Sequence, residues 1–309
     1  MSIIFHSQVD DPNVWREAFS LYAPKMQFYV WPDCDIPDSI ELALVWHPPD
    51  GMLSNFKNLR LISSLGAGVD HLLNISDLPK GIPITRIVED SLTDQMVNYV
   101  VMATLYCHRG MPNYVLQQKD HIWKNANSTL SQDFSIGIMG LGVLGQATAS
   151  ALRDLNFKIY GWSRTKKNIS GISSYAGLNE LNDFLKNVNI LVCLLPLTNE
   201  TENIINKDLL YNLPSGAYLI NVGRGKHVIE SDLINVLDSG HIEHAFLDVT
   251  REEPLPKNSK LWDHPKITLT PHVAAITNAA SSSRQIIKNL DLVRSNLKPK
   301  NLVDIKVGY

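Results

Sequence analysis

An apolar run, Phe134–Met139, leads straight into three glycines, Gly140, Gly142 and Gly145, and then into an amphipathic stretch, Val143–Asn156. Few chain geometries suit that order. The run reads as a strand and the stretch after it as a helix, so the turn between them is tight and made largely of backbone. In such a turn Gly140 permits the sharp bend, Gly142 lets backbone come close to a ligand, and Gly145 lets helix pack onto strand. The first N–H groups of a helix have no partner within it and attract negative charge. The segment Gly140-Leu141-Gly142-Val143-Leu144-Gly145 is therefore expected to cradle the pyrophosphate of a dinucleotide.

The rest of the chain keeps the same rhythm. Ser2–His6, Gln27–Val30, Leu42–Trp46 and Leu61–Leu65 read as strands, with helical patterns at Asn13–Tyr22 and Leu53–Asn58 between them. Thr93 to about Gln117 reads as one long helix leaving this first sheet. After Phe134–Met139, further strands are expected at Lys158–Trp162, Asn189–Leu195, Ala217–Val222, Ala245–Val249 and Ile267–Thr270. Helical stretches at Leu178–Asn187, Ser231–Ser239 and Ala279–Leu297 fill the gaps. Strands alternating with helices imply parallel sheets with helices on both faces. With 309 residues there is room for two such domains. The expectation is an α/β protein of two doubly wound parallel-sheet domains, Rossmann-like and flavodoxin-like, with the active site in the cleft between them. Residues 1–100 plus 280–309 would form the substrate domain and 101–279 the dinucleotide-binding domain.

Charge excludes some partners. Lys and Arg total 28 against 31 Asp and Glu, a formal net charge of −3, which gives no global pull toward nucleic acid or anionic lipid. The longest strongly apolar stretches, Tyr99–Cys107 and Ile190–Leu195, fall far short of the ~20 residues of a membrane helix. Cys34, Cys107 and Cys193 are far apart and form no C-x-x-C pair, which fits a reducing cytoplasm better than a disulfide framework. The start, Met1-Ser2-Ile3-Ile4-Phe5-His6, has neither the basic flank nor the long apolar run of a signal peptide. The sequons at Asn127, Asn168 and Asn199 are accordingly expected to stay unmodified.

The strand after the glycine turn bears on the choice of dinucleotide. An NAD site expects a carboxylate about 20 residues on, holding the ribose hydroxyls. This strand ends Trp162-Ser163-Arg164-Thr165-Lys166-Lys167, with no acid. Arg164 is suited to clamp a 2′-phosphate and Ser163 or Thr165 to donate to it, so NADP is favoured over NAD. The competing reading is an ordinary solvated basic loop.

Three further strand ends carry polar groups where ligands bind in such sheets. Asn221-Val222-Gly223-Arg224-Gly225 puts a guanidinium in a glycine-flanked turn, suited to anchor a carboxylate and polarise a carbonyl. Thr270-Pro271-His272-Val273-Ala274 offers a general acid. A carboxylate touching that imidazole would fix its orientation; Glu253 is the better candidate, and the sequence leaves Glu252 open beside it. Taken alone, His272 reads as a core histidine. No metal is called for: His241-x-x-His244 lacks a third ligand, and Ser281–Ser283 show no partner for a nucleophile. Arg251 and Glu252 read as a solvated turn.

In this order, over the whole chain, these motifs resemble the D-isomer-specific 2-hydroxyacid dehydrogenases. Within that family the chain is most similar to the glyoxylate/hydroxypyruvate reductase A group, through Ala43-Leu44-Val45-Trp46-His47-Pro48-Pro49, Leu65-Gly66-Ala67-Gly68-Val69-Asp70, Trp162-Ser163-Arg164-Thr165 and Pro271-His272-Val273-Ala274-Ala275-Ile276-Thr277. The resemblance implies a catalytic Arg224, Glu253 and His272. It implies that Asp248 holds the nicotinamide carboxamide, and that Leu195 and Pro196 line the nicotinamide ribose. Backbone N–H groups of Gly68 and Val69 would meet the substrate carboxylate, with Trp46 near the substrate. It also implies a cytoplasmic homodimer that uses NADPH to reduce a small 2-oxo acid: glyoxylate to glycolate, and hydroxypyruvate to D-glycerate. Thr250 departs from the family, many members of which carry an aromatic or small apolar residue there. The rival expectations are an enzyme for a larger 2-oxo acid and a non-catalytic protein that senses dinucleotides.

Overall fold

The computed structural model describes residues 2–125 and 129–309, so the sequon at Asn127 lies outside it. The chain divides into two compact units, Met1–Leu92 with Ile276–Tyr309, and Thr93–Ala275. It passes between them at 92/93 and 275/276, against the expected 100/101 and 279/280.

The first unit is built on five parallel strands: β1 (Ser2–His6), β2 (Gln27–Val30), β3 (Ile40–Val45), β4 (Leu61–Ser64) and β5 (Ile84–Thr85), in the order β2-β1-β3-β4-β5. This is the flavodoxin-like arrangement. A parallel sheet is covered on both faces, so its inner strands are apolar without alternation. Leu42, Ala43, Leu44 and Val45 are accordingly all fully buried. Helix Pro12–Tyr22 starts where the Asp11 side chain accepts the Asn13 N–H, and it buries Trp15, Ala18 and Phe19. Helix Ala279–Arg294, capped by the Asn278 side chain, returns to this unit and packs against Pro12–Tyr22.

The second unit holds seven parallel strands: β6 (Ser135–Met139), β7 (Lys158–Ser163), β8 (Ile172–Ala176), β9 (Ile190–Cys193), β10 (Ala217–Asn221), β11 (Ile242–Leu247) and β12 (Ile267–Leu269). Their order is β12-β11-β10-β9-β6-β7-β8. The winding reverses between β6 and β9, and the carboxyl ends of those strands are where such sheets bind ligands. Apolar side chains pack on both faces of the sheet, Phe184, Leu191 and Leu219 in one cluster, Ile138, Val192 and Ile220 in the other.

Some local expectations are corrected. The helix expected over 93–117 is two helices, Asp90–His108 and Met111–Lys119. Gly110 lies between them at φ 66, a left-handed conformation that ends the first, and Pro112 sits in the first turn of the second, where its missing N–H costs nothing. Leu178–Asn187 splits into a 3₁₀ turn, Leu178–Glu180, and a short helix, Leu181–Leu185, and only Leu53–Asn55 of the stretch 53–58 is helical, as a 3₁₀ turn. Strand β8 was not expected: Ile-Ser-Ser-Tyr-Ala lies at a sheet edge and needs no apolar run. Among the described residues no helix is long and apolar enough to cross a membrane.

Candidate functional site

The glycine turn follows β6 directly. Gly140 adopts φ 105, and a Cβ there would lie 2.6 Å from the Leu194 carbonyl oxygen, so both the bend and the close approach to the end of β9 require glycine. Gly145 is tighter still: a Cβ would lie 1.8 Å from the Gly140 carbonyl oxygen. Gly142 differs, since a Cβ there would meet nothing within 4 Å. It opens helix Val143–Asp154 without a side-chain cap. The turn is thus a backbone cradle at a helix N-terminus, with open space where a side chain would stand, and it fits a pyrophosphate.

Beyond β7 the Ser163 hydroxyl, expected to face a ligand, donates to the Thr165 carbonyl at 2.9 Å and curls the loop. Arg164 and Thr165 are exposed on that loop. Lys166 Nζ lies 3.6 Å from Glu180 Oε1. No carboxylate occurs from Ser163 to Lys167.

Arg224 follows β10. Its guanidinium Nη1 donates to the Gly223 carbonyl at 2.9 Å, and Asn221 Nδ2 donates to the Arg224 carbonyl at 3.0 Å. A Cβ on Gly225 would lie 1.9 Å from Thr250 backbone, so the turn abuts the segment leading to Glu253. Arg251 is exposed, as expected of a solvated turn, and also donates to Asn203 Oδ1 at 2.6 Å and to the Val228 carbonyl at 3.0 Å, bracing the far side of the turn. A guanidinium reaches several acceptors at once, which sequence does not reveal.

Glu253 and His272 follow the ends of β11 and β12. Glu253 Oε2 lies 2.7 Å from His272 Nδ1, and Glu253 Oε1 accepts the Thr250 N–H at 3.0 Å. The Glu252 carbonyl accepts the Thr250 hydroxyl at 2.8 Å. Burial alone would raise the Glu253 pKa. The hydrogen bond and charge of His272, the Thr250 N–H and the charge of Arg224 outweigh it and hold the carboxyl below its ordinary value.

His272 sits at φ 55, a left-handed conformation uncommon for a residue with a side chain. Asp248 holds it there. The Asp248 carbonyl accepts the His272 N–H at 2.8 Å, and its buried carboxylate accepts the Thr270 hydroxyl at 2.6 Å and the Val273 and Ala274 N–H groups at 2.8 and 2.9 Å. Tyr99 meets the Thr270 hydroxyl at 2.6 Å. Asp248 is thus a brace for the loop that carries His272. The contributions of Tyr99, Thr270 and Arg251 left no sequence signal beyond Thr270 preceding Pro271-His272.

Leu195 is buried just past β9, and the Pro196 carbonyl accepts the Thr201 hydroxyl at 2.7 Å. In the first unit, the Trp46 and His71 rings pack with centroids 4.2 Å apart, tilted by 50°. The Ser64 hydroxyl donates to the Gly68 carbonyl at 2.9 Å and accepts the Gly66 N–H at 3.2 Å, shaping the loop that carries Gly68 and Val69. His241 bonds the Leu213 carbonyl and His244 the Thr268 hydroxyl, and burial lowers the His244 pKa to about 4. Among the described residues no three His, Cys, Asp or Glu side chains are grouped to hold a metal ion.

Comparison with known proteins places this geometry in context. Residues 101–274 match the family described as D-isomer specific 2-hydroxyacid dehydrogenase, NAD binding domain. A D-isomer specific 2-hydroxyacid dehydrogenase from Xanthobacter autotrophicus Py2, solved with NADPH and MES, is 37% identical with a TM-score of 0.95, over 100% of this chain and 99% of that one. An NADPH-dependent glyoxylate/hydroxypyruvate reductase from Sinorhizobium meliloti, solved with NADP and sulfate, is 33% identical with a TM-score of 0.93 over the same shares. A probable 2-hydroxyacid dehydrogenase from Rhizobium etli CFN 42, solved with NADP, HEPES and L(+)-tartaric acid, is 31% identical with a TM-score of 0.90, again over 100% and 99%.

Proposed function

Because the chain belongs to the D-isomer specific 2-hydroxyacid dehydrogenase family, we propose that it reduces small 2-oxo acids, glyoxylate to glycolate and hydroxypyruvate to D-glycerate, with NADPH preferred over NADH. The observation that carries this reading is the His272–Glu253 pair, 2.7 Å apart, with the Arg224 charge acting on the same carboxylate. The reductase named from Sinorhizobium meliloti and the NADP held by that neighbour support the substrate class and the cofactor.

Gly140, Leu141, Gly142, Val143, Leu144 and Gly145 would hold the pyrophosphate, Ser163, Arg164 and Thr165 the 2′-phosphate, and Leu195 and Pro196 the nicotinamide ribose. The chemistry the dinucleotide supplies when bound is hydride transfer to a carbonyl carbon. Arg224 anchors the substrate carboxylate and stabilises the negative charge that develops on the carbonyl oxygen. His272 gives that oxygen a proton from Nε2, because Nδ1 is engaged by Glu253. Glu253 fixes the orientation of the ring and stabilises its positive charge as proton donor. Asp248 spends three acceptor directions on residues 270–274, and a carboxylate offers about four, which leaves one for a carboxamide. In the first unit, the backbone N–H groups of Gly68 and Val69 would receive the substrate carboxylate, with Trp46 near the substrate.

A cytoplasmic homodimer belongs to the same reading. It is supported by the exposed apolar side chains Met102, Leu105, Met111 and Val115 on two adjacent helices, and by three unbridged thiols. The test is a panel of glyoxylate, hydroxypyruvate and the bulkier phenylpyruvate with each reduced cofactor, read as loss of cofactor absorbance. The expected result is fastest oxidation of NADPH by the two small acids. No oxidation with any 2-oxo acid would overturn the proposal.

A further inference from the structure

His227 is wholly buried, yet its ring joins two segments that the functional reading keeps separate. Its Nδ1 lies 3.1 Å from the Arg224 backbone nitrogen, and its Nε2 lies 3.3 Å from the Pro196 carbonyl oxygen. A backbone N–H only donates and a carbonyl only accepts, so Nδ1 bears the lone pair and Nε2 the hydrogen. A doubly protonated ring could not take the Arg224 N–H. Cys193 Sγ also approaches Nδ1, at 3.5 Å. Burial pushes that thiol up to about 12, so it stays protonated and adds a weak donor on the same side. The turn lies directly on the ring, and only glycine fits there without pressing on it: a Cβ on Gly223 would lie 3.1 Å from its Cε1 and Nδ1. The backbone beneath is fixed as well, with the His227 carbonyl accepting the Ile205 N–H at 2.9 Å.

We propose that His227 is a positioning residue: as the neutral Nε2–H tautomer it sets the Arg224 turn against the Leu195–Pro196 segment, and so holds the substrate anchor in register with the nicotinamide side. This rests on the role given to Arg224 above. His227 is wholly buried and acts through the two segments it joins, and its bonds to Arg224 and Pro196 use different ring nitrogens, so they are separable by mutation. His227→Gln carries an N–H donor where Nε2 stands but no acceptor at Nδ1. His227→Asn carries an acceptor at Nδ1 but no donor at Nε2.

The experiment compares the full-length parent with H227Q and H227N by three readouts: the KM and kcat for glyoxylate, the NADPH dissociation constant from fluorescence titration, and thermal unfolding. H227Q is expected to raise the glyoxylate KM about 10-fold while NADPH affinity stays within about 2-fold. H227N is expected to do the reverse, weakening NADPH about 10-fold with the glyoxylate KM nearly kept. Equal losses in both parameters for both variants, tracking their melting temperatures, would mean the ring is only structural and would overturn the proposal. Should either variant fail to fold, nitrogen-15 NMR of histidine in the parent decides: a buried ring protonated at Nδ1 refutes the proposal, and one protonated at Nε2 alone upholds it. A parent that oxidises NADPH with no 2-oxo acid defeats the functional reading instead, a result the NMR tautomer does not share.

Discussion

The Glu253 carboxylate lies 2.7 Å from Nδ1 of His272 although the two are 19 positions apart in the chain. Neighbouring parallel strands β11 and β12 deliver the two residues to the same end of one sheet, so a rigid scaffold sets the distance. The pair is partly open to solvent, with side-chain exposures of 39% and 35%, which suits the proton-donor role proposed for His272.

The lowered Glu253 pKa makes a prediction about acid. The carboxyl stays ionised below its ordinary value of 4.5 in the folded protein. A depressed folded pKa means that its contribution to stability is present above the ordinary value and is lost as pH falls through the folded one. The melting temperature of the parent is therefore expected to exceed that of Glu253→Gln at neutral pH. The gap should close as the solution is taken well below pH 4.5. Melting curves of both proteins across that range check it, and a gap that does not vary with pH counts against an ionised Glu253 in the pair.

Removing the proton donor should touch turnover more than binding. His272→Gln is expected to lower kcat by ~10²–10⁴-fold, the usual scale for a general acid, with a modest change in the glyoxylate KM. Steady-state kinetics with circular dichroism as a folding control measure this. Parent-like kcat at saturating glyoxylate would remove His272 from the chemistry.

Arg224 is expected to behave as both anchor and electrophile. Arg224→Ala should raise the KM for the oxo acid and slow turnover, and Arg224→Lys should recover only part of either, because an ammonium lacks the two-pronged planar geometry of a guanidinium. If lysine restores both parameters in full, the carboxylate is held by charge alone.

Thr270 stands between Tyr99 and Asp248, with both hydrogen bonds at 2.6 Å. Thr270→Val keeps the shape and removes both bonds, leaving part-buried polar groups short of a partner, at a cost of about 1–3 kcal/mol. Burial already raises the Tyr99 pKa, so its hydroxyl stays protonated and seeks an acceptor. The melting temperature should drop by several degrees, and kcat should fall because the loop holding His272 in its left-handed conformation is loosened. Unchanged kcat in a folded Thr270→Val protein would show that Asp248 holds the loop without this hydroxyl.

How far such a site is legible in sequence depends on the kind of contact that makes it. The glycine turn was readable because its constraints are local: Gly140 needs φ 105 and Gly145 sits against the Gly140 carbonyl, and both leave a fixed spacing in the chain. The inner strands were readable because burial on both faces demands an unbroken apolar run. Strand β8 was hidden, since a polar edge strand makes no such demand. Arg224, His272 and Glu253 stood out because each follows a strand, but the choice between Glu252 and Glu253 depended on which side chain turns toward the ring. Tyr99 and Arg251 act through hydrogen bonds across long stretches of sequence, as does His227 toward the Pro196 carbonyl. Nothing in the residues beside them encodes the partner.

Selectivity between cofactors should rest mainly on one side chain. The loop after β7 offers Arg164, Lys166 and Lys167 as cations, but Lys166 faces Glu180 and the Ser163 hydroxyl is turned to the Thr165 carbonyl. Arg164 is the first cation after the strand end, and of the three only its guanidinium has the planar, two-pronged geometry that matches a phosphate. Arg164→Ala is therefore expected to weaken NADPH binding by roughly 10- to 10²-fold, the scale of hydrogen bonds to a charged group, and to leave NADH binding within about 2-fold. In the parent the NADPH dissociation constant should rise with added salt more steeply than that for NADH, since the extra phosphate contact is screened. Arg164→Ala should abolish that difference in slope. Fluorescence titrations of both cofactors at several ionic strengths measure both effects, and equal losses for the two cofactors would show that the basic loop does not read the 2′-phosphate.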